Sequence, residues 1–266
     1  MRKILTYSVE ELVPYISWPY FDYAWGVTNR AKDVKEQLRK DADEMLKAFN
    51  EKYHTKGLFL IDDANGDGDD LIIGTTRIPL LRQQKPAKPG DPNLCLADFV
   101  RPLSSGIKDK VGAFATTVDI RMETEYDDDP YQRMLAQTLA DRLAEATAEK
   151  MHEDVRKRYW GYAPDEHLTM NELLLEKYQG IRPAVGYPSL PDASMNFILN
   201  DLIGMGDIGI RLTETGAMKP HASVSGLMFA HPRSHYFAIG KIGEDQLRDY
   251  ALRRGVPVEM IRKFIK

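Results

Sequence analysis

One cysteine, Cys95, is all this chain carries, which excludes an internal disulfide framework and any metal site built from several thiolates. Long apolar runs are missing as well. Stretches such as Leu58 to Ile61 and Leu71 to Ile73 are far too short to span a bilayer. Met1 to Leu5 lacks the apolar stretch and small-residue cleavage site of a signal peptide. Positive charge is not in excess either. The formal net charge is −4, with no basic stripe interleaved with aromatics, so a nucleic-acid footprint is excluded. These absences lead us to expect a cytoplasmic protein without a membrane or nucleic-acid partner.

The usual catalytic groupings are absent too. His231 and His235 are four apart, but Pro232 prevents a helix from presenting both on one face, and His221 does not complete a metal set. His152-Glu153 lacks the second histidine of a zinc-protease motif. Cys95 has no recognisable base nearby in sequence, and no serine sits in a nucleophile elbow. Gly204-Met205-Gly206 lacks the strand and helix context of a dinucleotide fingerprint. Asp63 to Gly68 imitates the first half of a calcium loop, but its twelfth position is Gly74 instead of a bidentate glutamate. We therefore expect no catalytic nucleophile and no metal. Chemistry, if any, would come from binding and orienting a reactive cofactor.

What is present is an ordinary globular composition, 43% hydrophobic and 29% charged, over 266 residues that can bury a real core. No composition shift or repeat marks a boundary, so residues 1–266 are expected to form one domain. Ser8 and Glu11 have capping-box spacing, while Pro19 inside the aromatic run Tyr15 to Trp25 argues for an irregular corner there. Val34, Leu38, Ala42, Met45, Leu46, Phe49 and Tyr53 recur at helical spacing and predict an amphipathic helix from about residue 29 to 53. Residues 57–61 and 71–73 read as strands around a turn at Asp63 to Gly68, residues 82–93 as a polar surface loop, and residues 111–118 as a core strand. Asp129-Pro130 opens a helix reaching about Tyr159. Thr169 with Glu172 opens another, which Gly180 would close. Strands are expected at 208–213, 224–230 and 235–242, and two helices at 243–254 and 257–265.

Two stretches stand out as candidate sites. Gly180 to Pro188 packs a fixed cation, two prolines, two glycines and an aromatic into nine residues. Pro183 keeps Arg182 in extended backbone, Gly186 permits close approach or a positive φ, and Tyr187 offers a flat face with a polar tip. This reads either as a rigid loop gripping a carboxylate and a ring, or as a tight connection whose arginine pairs with a nearby acid. The second stretch is the acidic face Asp141, Glu145 and Glu149, four apart on the long helix, of which the first two lie between alanines beside the buried stripe and so stand out for a role.

Arg182 to Pro188 resembles the Arg-Pro-Ala-x-Gly-Tyr-Pro signature of the activation (reactivation) domain of cobalamin-dependent methionine synthase. Leu96 to Val100, Ala140 to Ala146, Tyr159 to Pro164, Tyr178 to Ile181, Ala222 to Gly226, and His231-Pro232 followed by Ser234, Tyr236 and Phe237 are similar to the same family. The resemblance runs from about residue 15 to the end. It implies an α+β fold, a single C-shaped domain with a bent antiparallel sheet flanked by helices. It also implies binding of S-adenosylmethionine and reductive methylation of cob(II)alamin to methylcobalamin, with one electron from a flavodoxin-like donor.

On that resemblance, Arg182 clamps the ligand carboxylate, the backbone at Ala184 and Gly186 approaches the adenosine, and Tyr187, Tyr236 and Phe237 supply ring contacts. Glu145 faces the cationic end and Asp141 the cobalamin-bearing partner. Arg182→Ala is expected to abolish binding with little loss of stability. Ser17 stands where the family carries an aspartate for the ligand's ammonium, and so brings no charge. Asp165-Glu166-His167 begins like the cobalamin-ligating Asp-x-His-x-x-Gly motif, but Met170 replaces the glycine, so the corrinoid is expected on a separate methionine synthase chain. The alternatives are another corrinoid methyltransferase as client, or a docking or capping module that has lost useful affinity for S-adenosylmethionine.

Overall fold

The structure is a computed structural model that describes every residue except Ala87 and Lys266. In chain order it comprises β1 (Arg2–Ser8), α1 (Val9–Leu12), α2 (Trp18–Ala24), α3 (Lys32–Lys52), β2 (His54–Asp67), β3 (Asp70–Ile73), β4 (Thr76–Pro79), β5 (Asp109–Thr117), α4 (Arg121–Thr124) and α5 (Pro130–Asp154). Then follow α6 (Met170–Leu174), α7 (Met195–Ile203), β6 (Arg211–Leu212), β7 (Met218–Lys219), β8 (Ser223–Met228), α8 (Glu244–Arg254) and α9 (Val258–Phe264).

The α+β class expected from the resemblance is what is found. The main sheet is antiparallel and curled, in the order β4-β3-β2-β5-β8, and β2 is its spine. One edge of β2 pairs with β1 through residues 54–60 and with β3 through residues 64–67, while its other edge pairs with β5. Strand alternation divides the core. Phe59, Phe114 and Met228 face α3 and α5, whereas Leu58, Ala113, Ala115 and Leu227 face α7. Gly57 lets α5 come close, since a Cβ there would meet Met151 Sδ at 2.7 Å. Helix α5 crosses β2, β5 and β8, with Ala136, Ala140, Ala144 and Ala148 all buried, and runs into a π-helical turn at Val155–Tyr159.

Several expectations need correction. The aromatic run is not irregular: Trp18–Ala24 is helical, and Pro19 lies in the first turn, where its missing N–H has no intrahelical partner to lose. The expected turn at Asp63 to Gly68 belongs largely to β2, and only residues 68 and 69 turn. Its acids are engaged in ion pairs, Asp63 with Lys108 and Lys110, and Asp67 with Arg77. Residues 235–242 form no strand, and the strand at 208–213 shrinks to Arg211–Leu212. Helix α6 stops at Leu174, so Arg182 does not emerge from a helix end. β1, which has no counterpart among the expected elements, is mostly exposed along the sheet edge.

Candidate functional site

The segment carrying Arg182 acts as an extra strand beside β8. Ile181 exchanges both backbone hydrogen bonds with Phe229 at 2.9 Å, Leu227 N–H donates to Pro183 at 3.0 Å, and Val185 N–H donates to Ser225 at 2.9 Å. Gly226 makes this approach possible, because a Cβ there would meet the Pro183 carbonyl oxygen at 2.2 Å. With Ile181 and Val185 packed toward the α7 side, alternation sends Arg182 and Ala184 to the α5 side. The chain then turns through Gly186 at φ 87°, with Gly186 N–H donating to the Leu190 carbonyl at 2.8 Å. A Cβ at Gly186 would touch nothing, so this glycine serves the turn.

Between this segment, α5 and the N-terminal aromatic helix lies a cavity of about 660 Å³. That volume suits a cofactor-sized ligand. Ser17, Glu145, Arg182, Ala184, Tyr187, Tyr236 and Phe237 all line it. Gly186, expected with them, does not. Asp141, expected to face the partner, stands apart, one turn along α5, its carboxylate 3.6 Å from His221 Nδ1. Burial pushes the Asp141 carboxyl up from its ordinary range, against the opposing pull of His221 and Arg142. Tyr236 and Phe237 face the cavity together because the backbone there is irregular, so strand alternation does not separate them.

Both readings of Arg182 meet in the structure. It lines the cavity, and it also pairs with an acid: Nη2 donates to Glu149 Oε2 at 2.6 Å. Nη1 reaches Tyr178 Oη at 3.2 Å and His152 Nδ1 at 3.3 Å, and the backbone N–H donates to Tyr236 Oη at 3.0 Å. Burial opposes the guanidinium charge, but Glu149, with Tyr178 and Tyr236, outweighs it and holds the Arg182 pKa well above its ordinary value. Opposite, Tyr187 Oη donates to Glu145 Oε1 at 2.9 Å. Burial and that carboxylate push the Tyr187 hydroxyl up to about 12, so at neutral pH it remains a donor.

The sequence assigns no role to other residues of the wall. Glu149 lies four residues beyond Glu145, and that spacing was the available signal; its Oε1 is buried and has no hydrogen-bond partner among the described residues. Arg142, three residues before Glu145, lines the cavity with its Nε buried and without a hydrogen-bond partner among the described residues. Glu176 gives no signal at all. It sits at φ 56°, a region non-glycine residues seldom adopt, and its carboxylate makes no hydrogen bond or ion pair among the described residues. Burial raises the Glu176 pKa, with Arg182 pulling the other way.

A curled antiparallel sheet, a long helix across it and a mixed-charge, cofactor-sized cavity at the sheet's last edge define an α+β ligand-binding protein. The family model described as vitamin B12 dependent methionine synthase, activation domain, matches residues 8–255, and the chain belongs to that family. It is also similar to a solved structure described as the crystal structure of the MetH reactivation domain bound to AdoHcy. The two share 38% sequence identity with a TM-score of 0.93, over 99% of this chain and 89% of that one.

Proposed function

We propose that this chain binds S-adenosylmethionine in the 660 Å³ cavity and supports the one-electron reductive methylation of cob(II)alamin to methylcobalamin. In this reading residues 1–266 act as one domain in the cytoplasm, the cobalamin is presented by a cobalamin-binding methionine synthase partner, and the electron comes from a flavodoxin-like donor. S-adenosylmethionine, when bound, supplies an electrophilic methyl group on a cationic sulfur and leaves as S-adenosylhomocysteine. The observation that carries the reading is the meeting of Arg182, Glu145, Tyr187, Tyr236 and Phe237 around one cavity, in a member of the activation-domain family.

The residues have separable tasks. Arg182, anchored by Glu149, takes the ligand carboxylate with its remaining donors. Glu145 and Glu149 give the wall an acidic character that suits the ammonium and sulfonium, and the Ser17 hydroxyl accepts from the ammonium without adding charge. The extended backbone at Ala184 and the rings of Tyr187, Tyr236 and Phe237 receive the adenosine. Asp141, beside the cavity and paired with the exposed His221, faces the partner. No general base is required, because the work is to place the methyl group in line with an incoming nucleophile.

Two measurements test this. Calorimetric titration with S-adenosylmethionine is expected to show saturable one-site binding, and a flat trace at millimolar ligand sinks the reading. Mixing the chain with S-adenosylmethionine, a reductant and a methionine synthase lacking this domain, in its cob(II)alamin form, is expected to yield methylcobalamin by absorbance.

A further inference from the structure

The guanidinium of Arg182 is anchored from beneath the cavity, and one of its anchors, His152, has no exposed surface. A guanidinium can only donate hydrogen bonds. The 3.3 Å contact from Arg182 Nη1 to His152 Nδ1 therefore requires Nδ1 to be bare, which puts the ring proton on Nε2. Nε2 lies 3.3 Å from Tyr162 Oη and donates to it. The imidazole is also held edge-on by the Tyr178 ring, with centroids 5.0 Å apart at 88°. The Tyr162 hydroxyl lies close over Gly180, where a Cβ would meet it at 2.8 Å.

We propose that His152 is a positioning residue: as a neutral acceptor on Nη1, it sets the rotation of the Arg182 guanidinium so that the donors it leaves free face the carboxylate of the ligand's amino-acid end. Glu149 alone does not achieve this. A contact through the single nitrogen Nη2 leaves the guanidinium able to pivot. Acceptors on Nη1 remove the pivot: Tyr178 Oη at 3.2 Å takes one of its hydrogens and His152 Nδ1 at 3.3 Å the other, and because both are neutral they do not satisfy the charge that the ligand must meet. A carboxylate at position 152 would compete with the ligand for the same cation. The assignment rests on the reading above, in which Arg182 holds the carboxylate of S-adenosylmethionine.

The test compares two thioethers that share a nucleoside. S-adenosylhomocysteine carries the amino-acid end, and 5′-methylthioadenosine does not. Their dissociation constants are measured by calorimetry on the native chain and on His152→Phe, His152→Asn, Tyr162→Phe and Arg182→Gln. His152→Phe is expected to weaken S-adenosylhomocysteine about tenfold or more, leaving 5′-methylthioadenosine within about twofold. His152→Asn, which keeps an acceptor near the Nδ1 position, is expected to restore most of the loss. Tyr162→Phe, which frees the ring to move its proton to Nδ1, shifts the ratio in the same direction and reports even if His152→Phe fails to fold. Equal losses for both ligands, or an unchanged ratio in His152→Phe and Tyr162→Phe, overturn the proposal. If Arg182→Gln collapses the ratio and the His152 and Tyr162 variants do not, this inference alone falls. If Arg182→Gln leaves the ratio unchanged, the carboxylate clamp falls with it.

Discussion

Arg182 serves the ligand and the fold at once, because its neutralising partner Glu149 is itself buried. The two side chains are 14% and 9% exposed and 2.6 Å apart, so removing one leaves the other's charge largely buried and unpaired. The expectation that Arg182→Ala would cost little stability is therefore corrected. Losing one member of a buried pair typically costs about 3–5 kcal/mol. We expect urea unfolding of Arg182→Ala to show a loss in that range, alongside the loss of binding. The double variant Arg182→Met, Glu149→Leu should be clearly more stable than Arg182→Ala, since it leaves no buried charge unpaired. An Arg182→Ala midpoint matching the native chain's would contradict the pairing.

At the scale of elements, the cavity exists because residues 181–185 pair with β8, and Gly226 is the condition for that pairing. The atoms a Cβ would meet there are backbone, Pro183 O at 2.2 Å and Ala184 Cα at 2.9 Å, so they cannot rotate away. Gly226→Ala is expected to push the segment off the sheet edge, costing about 1–3 kcal/mol. It should also weaken S-adenosylmethionine by about tenfold or more, although residue 226 is not part of the cavity lining. Gly57→Ala is the contrasting case. It meets the end of the flexible Met151 side chain and is expected to spare binding. Calorimetry on the two variants separates them, and equal affinities would count against the strand-pairing account.

The same scale shows what was legible beforehand. α3 and α5 could be read because their apolar faces repeat over many turns, and the caps at Ser8, Asp129 and Thr169 form as their spacing implies. Short elements were misread. α2 tolerates Pro19 because of where the proline falls in the helix, and β1 is an exposed edge strand whose partner lies about fifty residues away in the chain. Residues 235–242 have strand-like composition but are held by scattered bonds in place of a ladder, among them Phe237 N–H donating to Ser189 Oγ at 3.1 Å and Ile239 N–H donating to the Pro188 carbonyl at 2.9 Å.

For the whole molecule, His152 makes stability depend on pH. Burial first, then the charges of Arg156 and Arg182, lowers its pKa well below the ordinary value, while Tyr162 and Tyr178 face it without compensating charge. The sign follows from proton counting: below about pH 6.5 the unfolded chain binds a proton that the native chain refuses. Its neutral form therefore carries no penalty above that pH, and stability falls as pH drops through it. The expected slope from this residue is at most about 1.4 kcal/mol per pH unit. Denaturation between pH 8 and 5 should show it in the native chain and not in His152→Asn.

The amino-acid sequence by itself determined the long helices, the family signature around Arg182 to Pro188, and the absence of thiol clusters and a serine nucleophile elbow. Those features rest on local periodicity, on backbone limits imposed by proline and glycine, and on composition. Tertiary structure decided which charges meet. It joined Arg182 to Glu149 across 33 positions and to His152 across 30, brought Glu176 to the cavity wall, and left Gly186 outside it. Partner choice among buried polar groups depends on which side chains lose water together, and that is settled only when the sheet curls and α5 packs across it.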